Sequence, residues 1–283
     1  MPSYRIAWPA TLGRSLPDTA LHPLLDVELQ RRFGTTPNQY GVDEVELVVT
    51  KSAADGRAAL QAAQGPIRLA VAAAAVVLGT TCRLGPPPDV RGDDGSGLSH
   101  VFAGGGATIC AAPIAPAGLA NAAAATTSWK GLSPDERDRI ELALRWVARA
   151  SQRSDPLDML LEAWIAFETV VKRGKRSGGK NAGLLKAFAI PELRRILPCA
   201  STSGLQHLLR EIYDVERCEV IHAARAELED AQRSRAALAL SRIVLEDALG
   251  LPIDIESNGA GFIAAAAAAH ALGCTLRCTS SSA

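Results

Sequence analysis

The chain has 283 residues, 48% of them apolar, and its 30 basic and 30 acidic residues cancel to a formal net charge of zero. That length allows one large domain or two modest ones, each with a buried core. The balance of charge and apolar content excludes a disordered polyelectrolyte and argues against a dedicated nucleic-acid coat protein, though a local basic patch remains open.

Aromatic residues are scarce at 4%, and the alanine-rich stretches 71–75, 122–125 and 264–269 add apolar count without much volume. Leucine, valine and isoleucine must therefore fill the interior. The N-terminus, Met1 to Pro9, lacks the charged and apolar regions of a signal peptide. The longest apolar run, Leu69 to Gly79, falls short of the roughly 20 residues needed to cross a bilayer. A cytoplasmic protein with no membrane contact is expected.

In chain order, the first half is punctuated by glycine and proline: Gly85 to Asp89, Gly92 to Gly97, and Gly104 to Gly106. Between these breakers lie strand-like runs at 44–50 and 107–113 and a helix-like run at 53–64. Residues 1–128 read as a smaller α+β or irregular domain.

From about residue 128 the pattern is helical. Ser133-Pro134-Asp135-Glu136 combines a capping serine, a proline at the first helical position and a glutamate that completes a capping box. That helix carries Ile140, Leu144 and Val147 towards Ala150. Asp155-Pro156 opens another, with Leu157, Leu160, Leu161, Trp164, Ile165 and Val171 on one stripe. A third helical region, 184–197, is expected to break at Pro191.

A fourth helix begins after Ser203 with Leu205, Leu208, Leu209 and Ile212. The last, 226–249, ends at Gly250 with Pro252 beyond it. The expected fold class is thus mainly α: an antiparallel helix bundle at 133–250, behind the N-terminal domain and ahead of a low-complexity tail at 253–283.

Cysteines 82, 110, 199, 218, 274 and 278 form no CxxC pair. His270, Cys274 and Cys278 recur every four residues but show no fourth ligand, so neither metal nor cofactor is expected. His22, His100 and His207 have no evident partner.

Three features bear on chemistry. Glu168 lies four residues after Trp164, on the apolar stripe of its own helix, where a carboxylate needs a cation or a hydrogen-bond donor. Arg217 is one candidate; the alternative is that Glu168 reaches the helix edge. Arg217 and His222 supply a phosphate-neutralising cation and a group that moves protons near neutral pH, the tools of metal-free RNA cleavage.

The third is Lys172, Arg173, Lys175, Arg176 and Lys180, five cations with no acid among them, suited either to an RNA backbone or to a solvated connection. Gly174 to Lys180 also fits the phosphate-loop skeleton. A helix precedes it where a strand should, and Asn181 replaces the hydroxyl residue that binds magnesium.

Two segments carry a resemblance: Leu144 to Ala150 with Asp155 to Glu168, and Ile212 to His222. Together they resemble HEPN domains of the ApeA-like type, over about residues 133–250. The resemblance implies an HEPN-type helix bundle that dimerises, so that two Arg–His pairs share a cleft. Many such domains are metal-independent endoribonucleases of toxin, antiviral defence or RNA-processing systems.

Carried over, His222 is the general base or acid at the RNA 2′-OH and Arg217 stabilises charge on the scissile phosphate, with Glu168 and Cys218 in support. Single-stranded RNA and a second copy of the chain are the expected partners, with an unknown trigger or partner for the N-terminal domain. Cys218 stands where active members often have Asn, Asp or His, and Ala223 where they often have glycine. A non-catalytic dimerisation or interaction module with the same fold is the alternative.

Overall fold

The computed structural model describes residues 1–18, 20–32, 43–85, 88–93, 97–98, 114–171, 182–197, 202–210, 212 and 231–253. They form two compact units. The first comprises Met1–Ser133 with Leu249–Leu251, and the described part of the second runs mainly from Pro134 to Ala248.

In the first unit, strands β1 (Ser3–Leu12), β2 (His22–Leu24), β3 (Val27–Arg31), β4 (Asp43–Ser52), β5 (Cys82–Leu84), β6 (Asp89–Gly92) and β7 (Gly97–Leu98) build one antiparallel sheet. Its order is β2-β3-β4-β1-β6-β7, with β5 also on β1. The chain is therefore α+β, not mainly α, because the described strands of the glycine- and proline-broken first half join in one seven-stranded sheet.

Those short strands are hard to recognise singly and are held by non-local pairing. β1 lies at the centre and pairs with β4 along its whole length, from Ser3↔Ser52 to Leu12↔Asp43. The strand expected at 44–50 is the middle of β4.

Pro9 sits inside central β1, where a missing N–H normally forbids it. Its solution is local. On the edge of β1 away from β4, β6 pairs with Tyr4–Ala7 and β5 with Ala10–Leu12, leaving Pro9 at the junction. There only its carbonyl is used, accepting from the Gly85 N–H at 2.8 Å. A Cβ on Gly85 would lie 3.1 Å from that same carbonyl oxygen, so glycine allows the approach.

One face of the sheet, carrying Ile6, Leu12, Leu29, Val45, Leu47 and Val49, is buried. Helix α1 (Gly56–Val77) covers it with Ala59, Ala63, Ile67, Ala70, Ala74 and Val77, a helical repeat of small residues that lets helix and sheet approach closely. Asp55 caps it by accepting from the Ala58 N–H at 2.8 Å. The helix extends well past the expected 53–64 and runs through Pro66.

Among the described residues α1 is the one helix long and apolar enough to cross a membrane, and half of its most apolar window is buried inside the molecule. Helix α2 (Pro116–Gly131) packs on β2 and completes the unit. The run expected as a strand at 107–113 lies outside the described residues.

In the second unit, α3 (Pro134–Ala150) and α4 (Pro156–Val171) form a hairpin, and α4 also packs on α7 (Ala231–Ala248). Asp155 caps α4, its carboxylate accepting from Leu157 N–H at 2.7 Å and Asp158 N–H at 3.3 Å. Because α4 has neighbours on two sides, its buried apolar set is Leu160, Ala163, Trp164, Ala166, Phe167, Val170 and Val171. Ile165, expected on the stripe, is exposed instead.

Helix α5 (Ala182–Ile196) continues through Pro191, contrary to the expected break, and α6 (Thr202–Leu209) follows. The predicted apolar set Leu205, Leu208, Leu209 and Ile212 is buried. Past the end of α7, Gly250 adopts φ +66°, the left-handed conformation of a helix stop. The tail from residue 254 lies outside the described residues.

Candidate functional site

Of the residues singled out for chemistry, the structure describes one. Arg217, Cys218 and His222 lie outside the described residues, as do Lys172, Arg173, Lys175, Arg176 and Lys180, which follow the end of α4 directly.

Glu168 stands in the last turn of α4, half-buried, and accepts a hydrogen bond from the Trp164 indole Nε1 at 2.7 Å. The pair is one turn apart on one helix face, the spacing that lets the two side chains meet. The donor required by a carboxylate on an apolar stripe is thus supplied in part by its own helix. Trp164 itself is fully buried and its ring lies 5.2 Å from that of Phe167, so the bond has a fixed base. A carboxylate held this way is a positioned acceptor at the C-terminal end of α4.

Two ion clusters in the same unit were not foreseen. Glu162 is buried in the α3–α4 hairpin and paired with Arg149 at 3.1 Å and Arg153 at 2.7 Å. The Arg149 guanidinium lies 4.6 Å above the Trp146 ring. The hydrogen bond to Glu162, then its charge, hold the Arg153 pKa above the ordinary value. Arg195 of α5 joins Glu192 and Asp247 of α7, which raise its pKa in that order. The four-residue spacing of Arg149 and Arg153 was the available signal for the first cluster. No sequence signal links Arg195 to Asp247.

The first unit holds a separate, polar cleft of about 520 Å³, lined by residues of β2, the β2–β3 turn, β3, β4 and α2. The turn has two residues, Leu25 and Asp26. Leu25 takes φ +57°, a left-handed conformation costly for a branched side chain. Its N–H donates to Thr126 Oγ1 at 2.9 Å and its side chain is buried, while Trp129 Nε1 donates to Asp26 Oδ2 at 3.0 Å. These α2 contacts hold the turn in place.

At the other end of β4, buried Asp43 accepts from the Leu16 N–H at 2.7 Å and from Arg31, which also donates to the Leu16 carbonyl. His22, expected to lack a partner, lies 2.9 Å from Asp18. The Ala20 N–H and then His22 hold that carboxyl below its usual pKa. Burial pushes the Cys82 thiol up to about 12, which makes it inert as a nucleophile. Among the described residues no group of three or more His, Cys, Asp or Glu side chains is placed to hold a metal.

Fold and site together define an α+β protein with a sheet unit and a helical unit, the latter carrying a positioned carboxylate. Compared with known proteins, the chain matches no family model, no curated protein and no solved structure.

Proposed function

We propose that this chain is a cytoplasmic HEPN-type protein that cleaves or binds single-stranded RNA without a metal, as a homodimer in a toxin or antiviral defence system. The observation that carries the reading is the order of two segments: a helix ending Trp164 to Glu168, then Arg217 to His222. The hydrogen bond from buried Trp164 to half-buried Glu168 supports it, since it leaves an acceptor in the last turn of α4, just ahead in sequence of the basic stretch 172–180.

In this reading His222 takes the proton from a ribose 2′-OH, and the 2′-oxygen attacks the adjacent phosphorus. The 5′-oxygen leaves with a proton, and Arg217 stabilises the charge that grows on the phosphate. The products are a 2′,3′-cyclic phosphate and a 5′-hydroxyl, and DNA is untouched because it lacks the nucleophile. The basic stretch 172–180 tracks the RNA backbone.

The test is cleavage of a mixed single-stranded RNA pool in EDTA by the parent, His222→Ala and Arg217→Ala. Cleavage by the parent, with cyclic phosphate ends, and its fall by about 100-fold or more in each variant is expected. Intact parent that leaves RNA uncut and binds it no better than the variants sinks the proposal. Cys218 and Ala223, both departures from the active pattern, favour one second reading, a non-catalytic dimerisation module. It predicts that outcome with the dimer preserved.

A further inference from the structure

The α3–α4 hairpin has an outward face as well as the one packed on α7. On α3 the inner stripe is Ile140, Ala143, Leu144, Val147 and Ala150, all buried. Beside it runs a second stripe, Asp135, Asp138, Leu142, Trp146 and Arg149, spaced by three or four residues and so aligned on one side of the helix. Trp146 is half-buried and the other four are exposed.

Helix α4 adds to this face. Arg149 reaches Glu162 at 3.1 Å, so that flank of α4 borders the outer stripe of α3. Ile165 is one turn further along α4, which in a hairpin puts it level with Trp146, one turn back along α3. Of the large apolar side chains left exposed among the described residues, Leu142 at 47% and Ile165 at 37% both belong to this face. With Trp146 they make an apolar centre between charged ends.

The charges are ordered along α3. Asp135 and Asp138, at its start, have no hydrogen-bond or ion-pair partner among the described residues. Arg149, at its end, and Arg153 just beyond share the single carboxylate of Glu162, and their side chains stay 56% and 39% exposed. Asp158 comes only within 3.8 Å of Arg153, and Arg145 and Glu141 pair with each other beside the stripe. A guanidinium is a fork of several N–H donors, so Arg149 and Arg153 keep donors to spare.

We propose that this face joins two copies of the chain about a two-fold axis, with α3 antiparallel to its counterpart. Leu142 packs on the partner's Trp146 and Ile165, while Asp138 and Asp135 bond to the partner's Arg149 and Arg153. A symmetric dimer needs one patch that fits itself, and a stripe running from acid through apolar to base does so when reversed. The 17 residues of α3 run about 25 Å, and two helices side by side are about 20 Å wide. Such a face buries about 500 Å² on each copy, the lower limit for a specific interface, so association is micromolar. For its partner the inference rests on the homodimer of the proposed function; its test uses no RNA.

The experiment is sedimentation velocity on the full chain across micromolar concentrations. The parent dimerises, and Leu142→Glu or Ile165→Glu raises the dissociation constant by about tenfold or more with an unchanged circular dichroism spectrum. Asp138→Arg and Arg149→Glu each weaken the dimer, and mixing the two variants restores it, because each mixed contact again joins opposite charges. A parent that stays monomeric overturns the proposal together with the homodimer. A dimer that persists unchanged in folded Leu142→Glu, or a mixture no tighter than its components, overturns this face alone and leaves RNA cleavage to its own assay. Should Arg149→Glu fail to fold, Leu142→Glu and Ile165→Glu decide.

Discussion

The two units secure their buried polar groups in opposite ways. In the sheet unit the decisive contacts join residues far apart in sequence: Leu25 to Thr126, Asp26 to Trp129, and Asp43 to both Leu16 and Arg31. In the helical unit most are local, such as Trp164 to Glu168 within one turn and Arg153 to Glu162 across one hairpin. The difference follows from the backbone. Helices satisfy their own amides, so side chains need only tie neighbouring helices together. A sheet must recruit distant segments before any ladder forms, and its turns must be fixed from outside.

Four substitutions or measurements break or sharpen this contrast. The largest effect is expected for Asp43→Ala, which strands Arg31 at 7% side-chain exposure without its carboxylate. Losing one partner of so buried a pair costs about 3 kcal/mol. Urea unfolding should show the loss in the sheet unit, and a midpoint shared with the parent would refute the keystone role of Asp43.

Glu162→Ala comes next, at about 2 kcal/mol, below the range for fully buried pairs because Arg149 and Arg153 remain hydrated at 56% and 39% exposure. Its signature is a lower melting point in the helical circular dichroism signal. Trp129→Phe removes the donor to Asp26 and puts a smaller ring in the buried indole's place, and should cost about 1–2 kcal/mol. Faster amide exchange confined to the β2–β3 turn would mark the local effect; no change there would mean that the Thr126 bond holds the turn alone.

The smallest effect near neutral pH concerns Cys82. Its pKa is raised from an ordinary 9.0 to about 12, so the unfolded chain releases that proton first as pH rises. Stability from this group is complete below about pH 9 and is lost between 9 and 12. Native Cys82 should resist alkylation at pH 8 by peptide mapping, and rapid labelling would contradict its burial.

Legibility in the sequence tracked the same contrast. The helix starts at Pro134 and Pro156, the apolar set of α6 and the glycine beyond α7 were readable because caps and 3.6-residue periodicity are local. The courses of α1 through Pro66 and α5 through Pro191 were not, since tertiary packing outweighed the local penalty of proline. Glu168 was legible as a carboxylate needing a donor. That the donor is Trp164 required the rotamers that packing against Phe167 selects. The cleft in the sheet unit had no signal, because its lining is drawn from segments far apart in the sequence.

By itself, the amino-acid sequence determined the helical character of the described residues between 134 and 248, the strand at the heart of β4 and the chemistry available to Glu168. The tertiary structure alone decided the seven-stranded sheet, the place of Pro9 at the junction of β5 and β6, and the left-handed turn at Leu25. A helix closes its hydrogen bonds within four residues, whereas each strand is completed by a partner whose register is set only when the core forms.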